Sequence, residues 1–344
     1  MIEVLATHTP EQFAVAVTRA ADLLRAGDVV ALPTETVYGL AANAFDARAV
    51  ARIYDIKGRP AHNPIIVHVA GIEMARACVA VWPESASCLA QSFWPGPLTL
   101  VLPRAHIVPD IVTAGGTTVG VRWPSHPFIQ AVIRACGFPL AAPSANLSNA
   151  ISPTTAEHVR RHLGHELRLI VDGGPADVGI ESTVIDLSTT PRVLRPGMIH
   201  EAALASALAM GGLRQGQVEP SSDTDSSTLR SPGLLERHYA PRARLVMRHW
   251  RDGTELETQI DALGVPRSRT HVLAHTHVPP PDHLGSVSIL PRDAAAFARV
   301  IYAELHRCDE AGAELIVIEA APDGPEWRGL RDRLSRAAAG HRDR

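Results

Sequence analysis

From Gly211 to Arg230 the chain carries Gly, Gln, Pro and an unbroken polar run, Ser221-Ser222-Asp223-Thr224-Asp225-Ser226-Ser227-Thr228. Such a stretch has almost no apolar side chain to bury, so nothing offsets the entropy of ordering it in a core. It reads as a connection between domains. Whatever the chain folds into must form on either side of it. The expected division is a domain over residues 1–210, a connecting segment over 211–242 and a second domain over 243–344. Those sizes suit ordinary domains of ~100–200 residues.

N-terminal to the connection, short apolar runs alternate with helical patterns. Phe13, Val17, Ala20 and Leu24 recur at helical spacing over Glu11–Ala26, and Gly27 follows as a C-cap. Helices are also expected over Asp46–Asp55 and Pro127–Cys136. Strands are expected over Val29–Pro33, Pro64–Val69, Leu98–Leu102, Thr117–Trp123, Pro139–Ala142, Leu167–Val171 and Thr183–Leu187. Alternation without a strict period predicts an α/β or α+β sheet domain rather than a barrel. Beyond the connection, strands are expected at Arg244–Met247, Thr270–Ala274 and Leu315–Glu319. Helical patterns at Glu255–Leu263, Ala294–His306 and Glu326–Ala339 separate them, which predicts a small Rossmann-like α/β domain. It lacks GxGxxG, so dinucleotide binding is not expected of it.

Composition removes several function classes. Basic residues number 33 against 36 acidic, a formal net charge of -3, which excludes a globally basic nucleic-acid coat. No apolar run approaches the ~20 residues that cross a bilayer, and the first apolar stretch, Val29–Pro33, is short and lies too far in for a signal peptide. Cys78, Cys88, Cys136 and Cys308 form no CxxC pair, so neither a zinc site nor a disulfide scaffold is indicated and a reduced, cytoplasmic protein is expected. One of the 33 basic residues, Lys57, is lysine and the rest are arginine. A lone lysine in such a background points to a position that needs a compact ammonium rather than a planar fork.

The phosphate loop GxxxxGK[ST], the GxSxG elbow, HExxH and the kinase set are all missing. What remains are polar clusters at strand ends and loops, where binding groups sit. Pro33-Thr34-Glu35-Thr36-Val37-Tyr38-Gly39-Leu40 follows a buried strand; its hydroxyls and carboxylate can hold a small polar ligand, or it is a turn with Gly39 at positive φ. Lys57-Gly58-Arg59-Pro60, with Asn63 and then His68, can set two cations on one anion, where the alternative is a solvated pair at a helix end. Alternation puts Thr118, Gly120 and Arg122 on one side of a strand, so Arg122 can face a carboxylate. Ser144 and Asn146 precede a helix start, a place that suits phosphate; Ser152 and Thr154 read first as its caps, with Thr154 and Glu157 at capping-box spacing. Glu181-Ser182-Thr183 precedes a strand and Arg195-Pro196-Gly197 follows one. His158, His162 and His165 share a helical face but have no partners that would make a metal site.

Taken together, PTETVYGL, KGRPAHNPIIVHV, FWPGPLTLVL, TVGVRWP, APSANLSNAISPT, ESTVIDL and RPG closely resemble the threonylcarbamoyl-AMP synthases with a YrdC-type domain. Ser231-Pro232-Gly233 and Arg237-His238-Tyr239-Ala240-Pro241 resemble the junction of the long, two-domain form. The resemblance implies a YrdC-type twisted mixed sheet flanked by helices, followed by the Rossmann-like domain. It implies synthesis of L-threonylcarbamoyladenylate and pyrophosphate from L-threonine, bicarbonate (or CO2) and ATP. A separate threonylcarbamoyltransferase complex then passes the group to tRNA, so no stable nucleic-acid binding and no membrane are implied. Mg2+ is expected to arrive with ATP and not on a protein-only metal site.

By the same resemblance Thr36, His68, Arg122 and Ser182 are threonine contacts, with Thr34 the competing choice for Thr36. Arg59, Asn63, Thr118, Ser144, Ser152, Arg195 and Tyr239 are ATP contacts, Lys57 and Arg59 are the catalytic cations, and the 211–242 segment is a lid over the site. Lys57→Arg is then expected to impair turnover more than ATP affinity. Two other functions share the fold. Against an RNA-binding module stand 15 basic and 17 acidic residues over Met1 to Ala205. Against a carbamoyl-phosphate-dependent carbamoyltransferase stands the lack of its zinc-finger CxxC pairs.

Overall fold

The computed structural model describes residues 2–212, 219–220 and 238–339. The chain divides into two compact units, Met1–Ser148 with Ser152–Leu234, and Asn149–Ile151 with Leu235–Arg344. The polar run 221–228, the Ser231-Pro232-Gly233 motif and Arg237 lie outside the described residues, as does most of the expected lid.

The larger unit begins β1 (Glu3–Ala6), α1 (Pro10–Arg25), β2 (Val30–Leu32), β3 (Gly39–Asn43), α2 (Ala47–Lys57) and β4 (Val67–His68). It continues through α3 (Ile72–Ala77), α4 (Glu84–Phe93), β5 (Leu98–Pro103), β6 (Thr118–Arg122), α5 (Pro127–Cys136) and β7 (Leu140–Ala141). The remainder is α6 (Ala156–Leu163), β8 (Leu169–Asp172), β9 (Thr183–Asp186), β10 (Arg192–Arg195), α7 (Glu201–Met210) and β11 (Glu219–Pro220). The strands form one mixed sheet in the order β1-β8-β2-β3-β7-β4-β6-β5-β9-β10-β11.

Strand alternation sends successive side chains to opposite faces. Ala31 and Ile170 join one core, with Val50 and Ile53 of α2, Leu89 of α4 and Val159 of α6. Their neighbours Val30, Leu32, Leu169 and Val171 join the other, with Ala16 and Ala20 of α1 and Phe128 and Ile129 of α5. On β4, β5, β6 and β9 the residues Val67, Leu98, Leu100, Leu102, Val119, Val121 and Ile185 also face the first core. The intervening residues His68, Thr99, Val101, Thr118, Gly120, Arg122 and Val184 therefore take the opposite face. There Ile66, Val101, Val184 and Leu194 form a small cluster of their own, separate from both helix-backed cores. The candidate site occupies this part of the sheet.

Some local expectations are corrected. Gly39 has no positive φ; it opens β3, pairs with Leu32 and bridges to Ser144, so the preceding turn closes within Thr34–Val37. The cap of α6 is Thr155, whose side chain accepts from His158 N–H, so Ser152 and Thr154 are not caps. His158 Nδ1 accepts from Thr154 N–H at 3.3 Å and His165 lies past the helix end, so the three histidines do not assemble. The expected strand Pro64–Val69 shrinks to Val67–His68.

In the smaller unit β12 (Arg244–Arg248), β13 (Thr270–Ala274), β14 (Ser286–Ile289) and β15 (Leu315–Glu319) form a parallel sheet ordered β12-β15-β13-β14. Helices α8 (Gly253–Asp261), α9 (Ala294–Glu310) and α10 (Arg328–Ala339) connect and flank the strands, as a Rossmann-like unit requires. The sequence pattern missed β14 because its alternation is polar and it forms an edge, partly exposed along its length.

Candidate active site

The turn after β2 is built by a hydroxyl. Thr34 Oγ1 donates to the Val37 carbonyl at 2.6 Å and accepts from the N–H groups of Thr36 and Val37 at 3.2 and 3.3 Å. Those bonds occupy Thr34. Thr36 Oγ1 instead accepts from Arg122 Nη1 at 2.9 Å, which turns it toward β6.

Arg122 ends β6 in register with His68 at the end of β4, and both are almost fully buried. Its Nε donates to the Gly96 carbonyl at 3.3 Å, and its Nη2 lies 2.8 Å from Glu35 Oε1. That last contact has ion-pair separation without hydrogen-bond alignment, so Nη2 keeps its hydrogens for another acceptor. An uncompensated buried guanidinium would cost several kcal/mol; Glu35 neutralises it. Burial pushes the Glu35 carboxyl up, but the Arg122 charge and the Ser125 N–H pull it further down, and it stays ionised below the usual carboxylate range. Burial, reinforced by Arg122, pushes the His68 imidazole down to about 3, so His68 is neutral at physiological pH.

Four residues before Arg122 on the same face, Thr118 begins β6. At ~3.3 Å per residue the two are ~13 Å apart. Gly120 lies between them without a side chain; a Cβ there would meet Thr99 Cγ2 at 3.2 Å. A narrow cleft lined by Pro64, Ile65, Thr99, Thr113, Thr118 and Gly120 lies at the Thr118 end of this line.

The two cations of the KGR element are held differently. Arg59 donates to the Asn63 carbonyl, to Asn63 Oδ1 and to the Pro64 carbonyl at 3.0, 2.7 and 2.6 Å. Lys57, the last residue of α2, points inward and is 2% exposed. Its Nζ donates to the carbonyls of Ser144 and Asn146, both at 2.5 Å, and to Asn146 Oδ1 at 3.3 Å. An ammonium has three donors, and all three are used on this loop. Burial, then Arg59, lowers its pKa well below the ordinary lysine value. Its partners here are backbone and amide oxygens and not a phosphate-binding arrangement with Arg59.

Ser152 Oγ donates to Glu181 Oε1 at 2.5 Å. Next in sequence to Glu181, Ser182 shares a 2.8 Å hydrogen bond with Thr99 Oγ1. Arg195, at the end of β10, donates to Ser182 Oγ at 3.1 Å and to its carbonyl from Nε and Nη2 at 3.1 and 3.0 Å. Thr183 N–H donates to the Pro97 carbonyl at 3.0 Å, beside the Gly96 that holds Arg122. Thr36, His68 and Arg122 thus form one group, Ser182 and Arg195 a second, and the Gly96-Pro97 segment links the two.

Tyr239 belongs to the smaller unit, where it is buried with φ 62°, stacked on Tyr302 and covered by the Arg333 guanidinium. The sequence clusters include Glu35 and Glu181 without a role of their own, and Thr99 lies outside them. A threonine inside the apolar run Leu98–Leu102 was the available signal for Thr99. Among the described residues no group of three or more His, Cys, Asp or Glu side chains could hold a metal ion.

In the larger unit, the buried side-chain nitrogens and oxygens left without a hydrogen-bond partner among the described residues belong to Glu35, Asn63, His68, Arg122 and Trp123. Such atoms are costly in a folded protein and cluster where a ligand is expected.

Comparison with known proteins points the same way. A family model described as Telomere recombination (Sua5, yciO and yrdC) matches residues 22–197, and one described as Threonylcarbamoyl-AMP synthase, C-terminal domain, matches 197–339. A threonylcarbamoyl-AMP synthase of Pyrococcus abyssi is 38% identical over 94% of this chain and 94% of its own. The Bacillus subtilis protein of that name is 38% identical over 98% and 95%. The crystal structure of P. abyssi Sua5 complexed with L-threonine superposes with a TM-score of 0.86 at 34% identity, covering 98% of this chain and 97% of that one.

Proposed function

The chain belongs to the threonylcarbamoyl-AMP synthase family, and on that premise we propose how its site divides the work. The enzyme is a nucleotidyltransferase of tRNA modification. It joins L-threonine, bicarbonate (or CO2) and ATP into L-threonylcarbamoyladenylate and diphosphate, which begins the formation of threonylcarbamoyl-adenosine in tRNA.

Threonine binds at Thr36, His68, Arg122 and Ser182, with its carboxylate on the Arg122 guanidinium. Thr36 is preferred to Thr34 as the contact because it bonds directly to Arg122 as well as to Thr34, whereas Thr34 bonds only within its turn. A neutral His68 offers a hydrogen bond without a competing charge. ATP binds at Arg59, Asn63, Thr118, Ser144, Ser152 and Arg195. Mg2+ enters with ATP. The ~13 Å between Thr118 and Arg122 accommodates a nucleotide phosphate chain and an amino acid end to end.

In the reaction the threonine nitrogen bonds to the bicarbonate carbon and water leaves, giving a carbamate. A carbamate oxygen then attacks the α-phosphorus, and the bond to the bridging oxygen breaks as diphosphate departs. No protein nucleophile is required. The chain's contribution is positioning and stabilisation of spread negative charge. Arg195, bonded to Ser182, stands where the threonine and ATP groups adjoin and is placed to neutralise the α-phosphoryl oxygens. Lys57 supports the Ser144–Asn146 loop that receives phosphate. The product is handed to a separate threonylcarbamoyltransferase complex in the cytoplasm.

The observation that carries this reading is the set of buried polar atoms without a hydrogen-bond partner among the described residues, on Glu35, Asn63, His68, Arg122 and Trp123. Its test is mass spectrometry of the product formed from ATP, L-threonine and carbon-13 bicarbonate. A threonylcarbamoyl-AMP ion carrying the label supports it. An unlabelled product, or one formed only from carbamoyl phosphate, would place the chain with the carbamoyltransferases.

A further inference from the structure

Glu35 has no role in the reading above beyond neutralising Arg122, yet its geometry exceeds that task. A carboxylate serving only as a counter-ion would turn both oxygens to the cation. Here Oε1 lies 2.8 Å from Arg122 Nη2 and is fixed at 3.0 Å by the Ser125 N–H, and the Glu35 backbone is pinned by Val178 N–H at 2.7 Å. The other oxygen, Oε2, is buried in a side chain about one-twentieth exposed and has no hydrogen-bond partner among the described residues. A held carboxylate with one unpaired buried oxygen calls for a donor.

The charges say which donor. Glu35 and Arg122 sum to zero. A free amino acid is a zwitterion whose two charges flank one carbon, and it fits beside such a pair as an opposed dipole. We infer that Glu35 accepts a hydrogen bond from the α-ammonium group of the substrate, so that Glu35 and Arg122 together read the amino acid as a zwitterion. This inference rests on the proposal that Arg122 meets the threonine carboxylate. It also gives the site a direction. Once the ammonium has become a carbamate its positive charge is replaced by a negative one, and Glu35 repels the end it formerly held.

The test uses the full chain and two ligands, L-threonine and 3-hydroxybutyrate, which is threonine without its amino group. The wild type binds threonine more tightly, and Glu35→Gln keeps the shape and the Ser125 bond while removing the charge. A charge-assisted hydrogen bond is worth about 10- to 100-fold in affinity. Glu35→Gln is expected to lower the threonine preference by that factor while 3-hydroxybutyrate affinity stays within about threefold. Equal weakening of both ligands would reduce Glu35 to a support for Arg122 and overturn the inference, as would no weakening of either. Arg122→Gln must weaken both ligands alike; if it weakens neither, the threonine site itself is misassigned. Should Glu35→Gln fail to fold, Glu35→Asp, which draws the carboxylate back by one carbon, must show the same selective loss.

Discussion

Lys57→Met isolates what the only lysine does. Methionine is close to lysine in length and fills the enclosed space, but it leaves three oxygens without their donor: the carbonyls of Ser144 and Asn146 and Asn146 Oδ1. At about 1 kcal/mol for each hydrogen bond the loss is about 3 kcal/mol. The variant also escapes the cost of burying an ammonium, which is why the loss stays below that of a broken buried ion pair. For a unit of this size 1 kcal/mol moves the melting temperature by ~2–4 °C, so a fall of ~6–12 °C is expected by calorimetry. The loop that carries Ser144 loses its tie to α2, and KM for ATP should rise about tenfold, the effect of about 1.4 kcal/mol. Lys57→Arg should behave similarly, because a planar guanidinium overfills the site at a cost of about 1–3 kcal/mol. A loss carried mainly by ATP affinity departs from the expectation drawn from sequence, where turnover suffers more than affinity. An unchanged melting temperature and KM with a collapsed kcat would refute the loop-holding account and return Lys57 to the reacting phosphate.

Other outcomes follow from the same geometry. Arg122→Lys keeps the charge but loses the fork that spans Gly96, Thr36 and Glu35; KM for threonine should rise about 100-fold or more and KM for ATP change little, measured by steady-state kinetics. His68, with its imidazole held down at about 3, remains unprotonated in the native state while its unfolded form gains a proton near pH 6.5. Native stability is therefore lost as pH falls below ~6.5, and the melting temperature of His68→Gln should fall less steeply from pH 7 to 5 than that of the wild type. A histidine NMR titration near pH 6.5 assigned to His68 would contradict that environment. Gly120→Val places a branched side chain where a single Cβ already comes within 3.2 Å of Thr99, and should abolish activity while leaving the smaller unit's melting transition in place.

Local pattern made much of this architecture legible. The helix Pro127–Cys136 and the strands Thr270–Ala274 and Leu315–Glu319 lie where periodicity puts them, because each has an uninterrupted apolar face to bury. Alternation on β6 also placed Thr118, Gly120 and Arg122 together on one face. What escaped were pairings between distant segments. Gly39 opens a strand because Leu32 and Ser144 lie beside it, and neither neighbour can be seen from a turn-like PTETVYG. Ser152 reads as a cap until Glu181, far along the chain, accepts the hydrogen bond of its hydroxyl. The lone lysine stands out in the sequence, but its partners, two backbone carbonyls and the Asn146 side chain, carry no sequence signature. Glu35 stood in the marked cluster, and only the folded contact between the turn after β2 and the end of β6 shows that it faces Arg122.

The most direct measurement is diphosphate release from ATP and bicarbonate with and without L-threonine, with L-serine in parallel, for the wild type and Arg122→Gln. The account predicts release that depends strongly on threonine, much less on serine, and is lost in Arg122→Gln. Release that ignores the amino acid, or that survives Arg122→Gln undiminished, would contradict it.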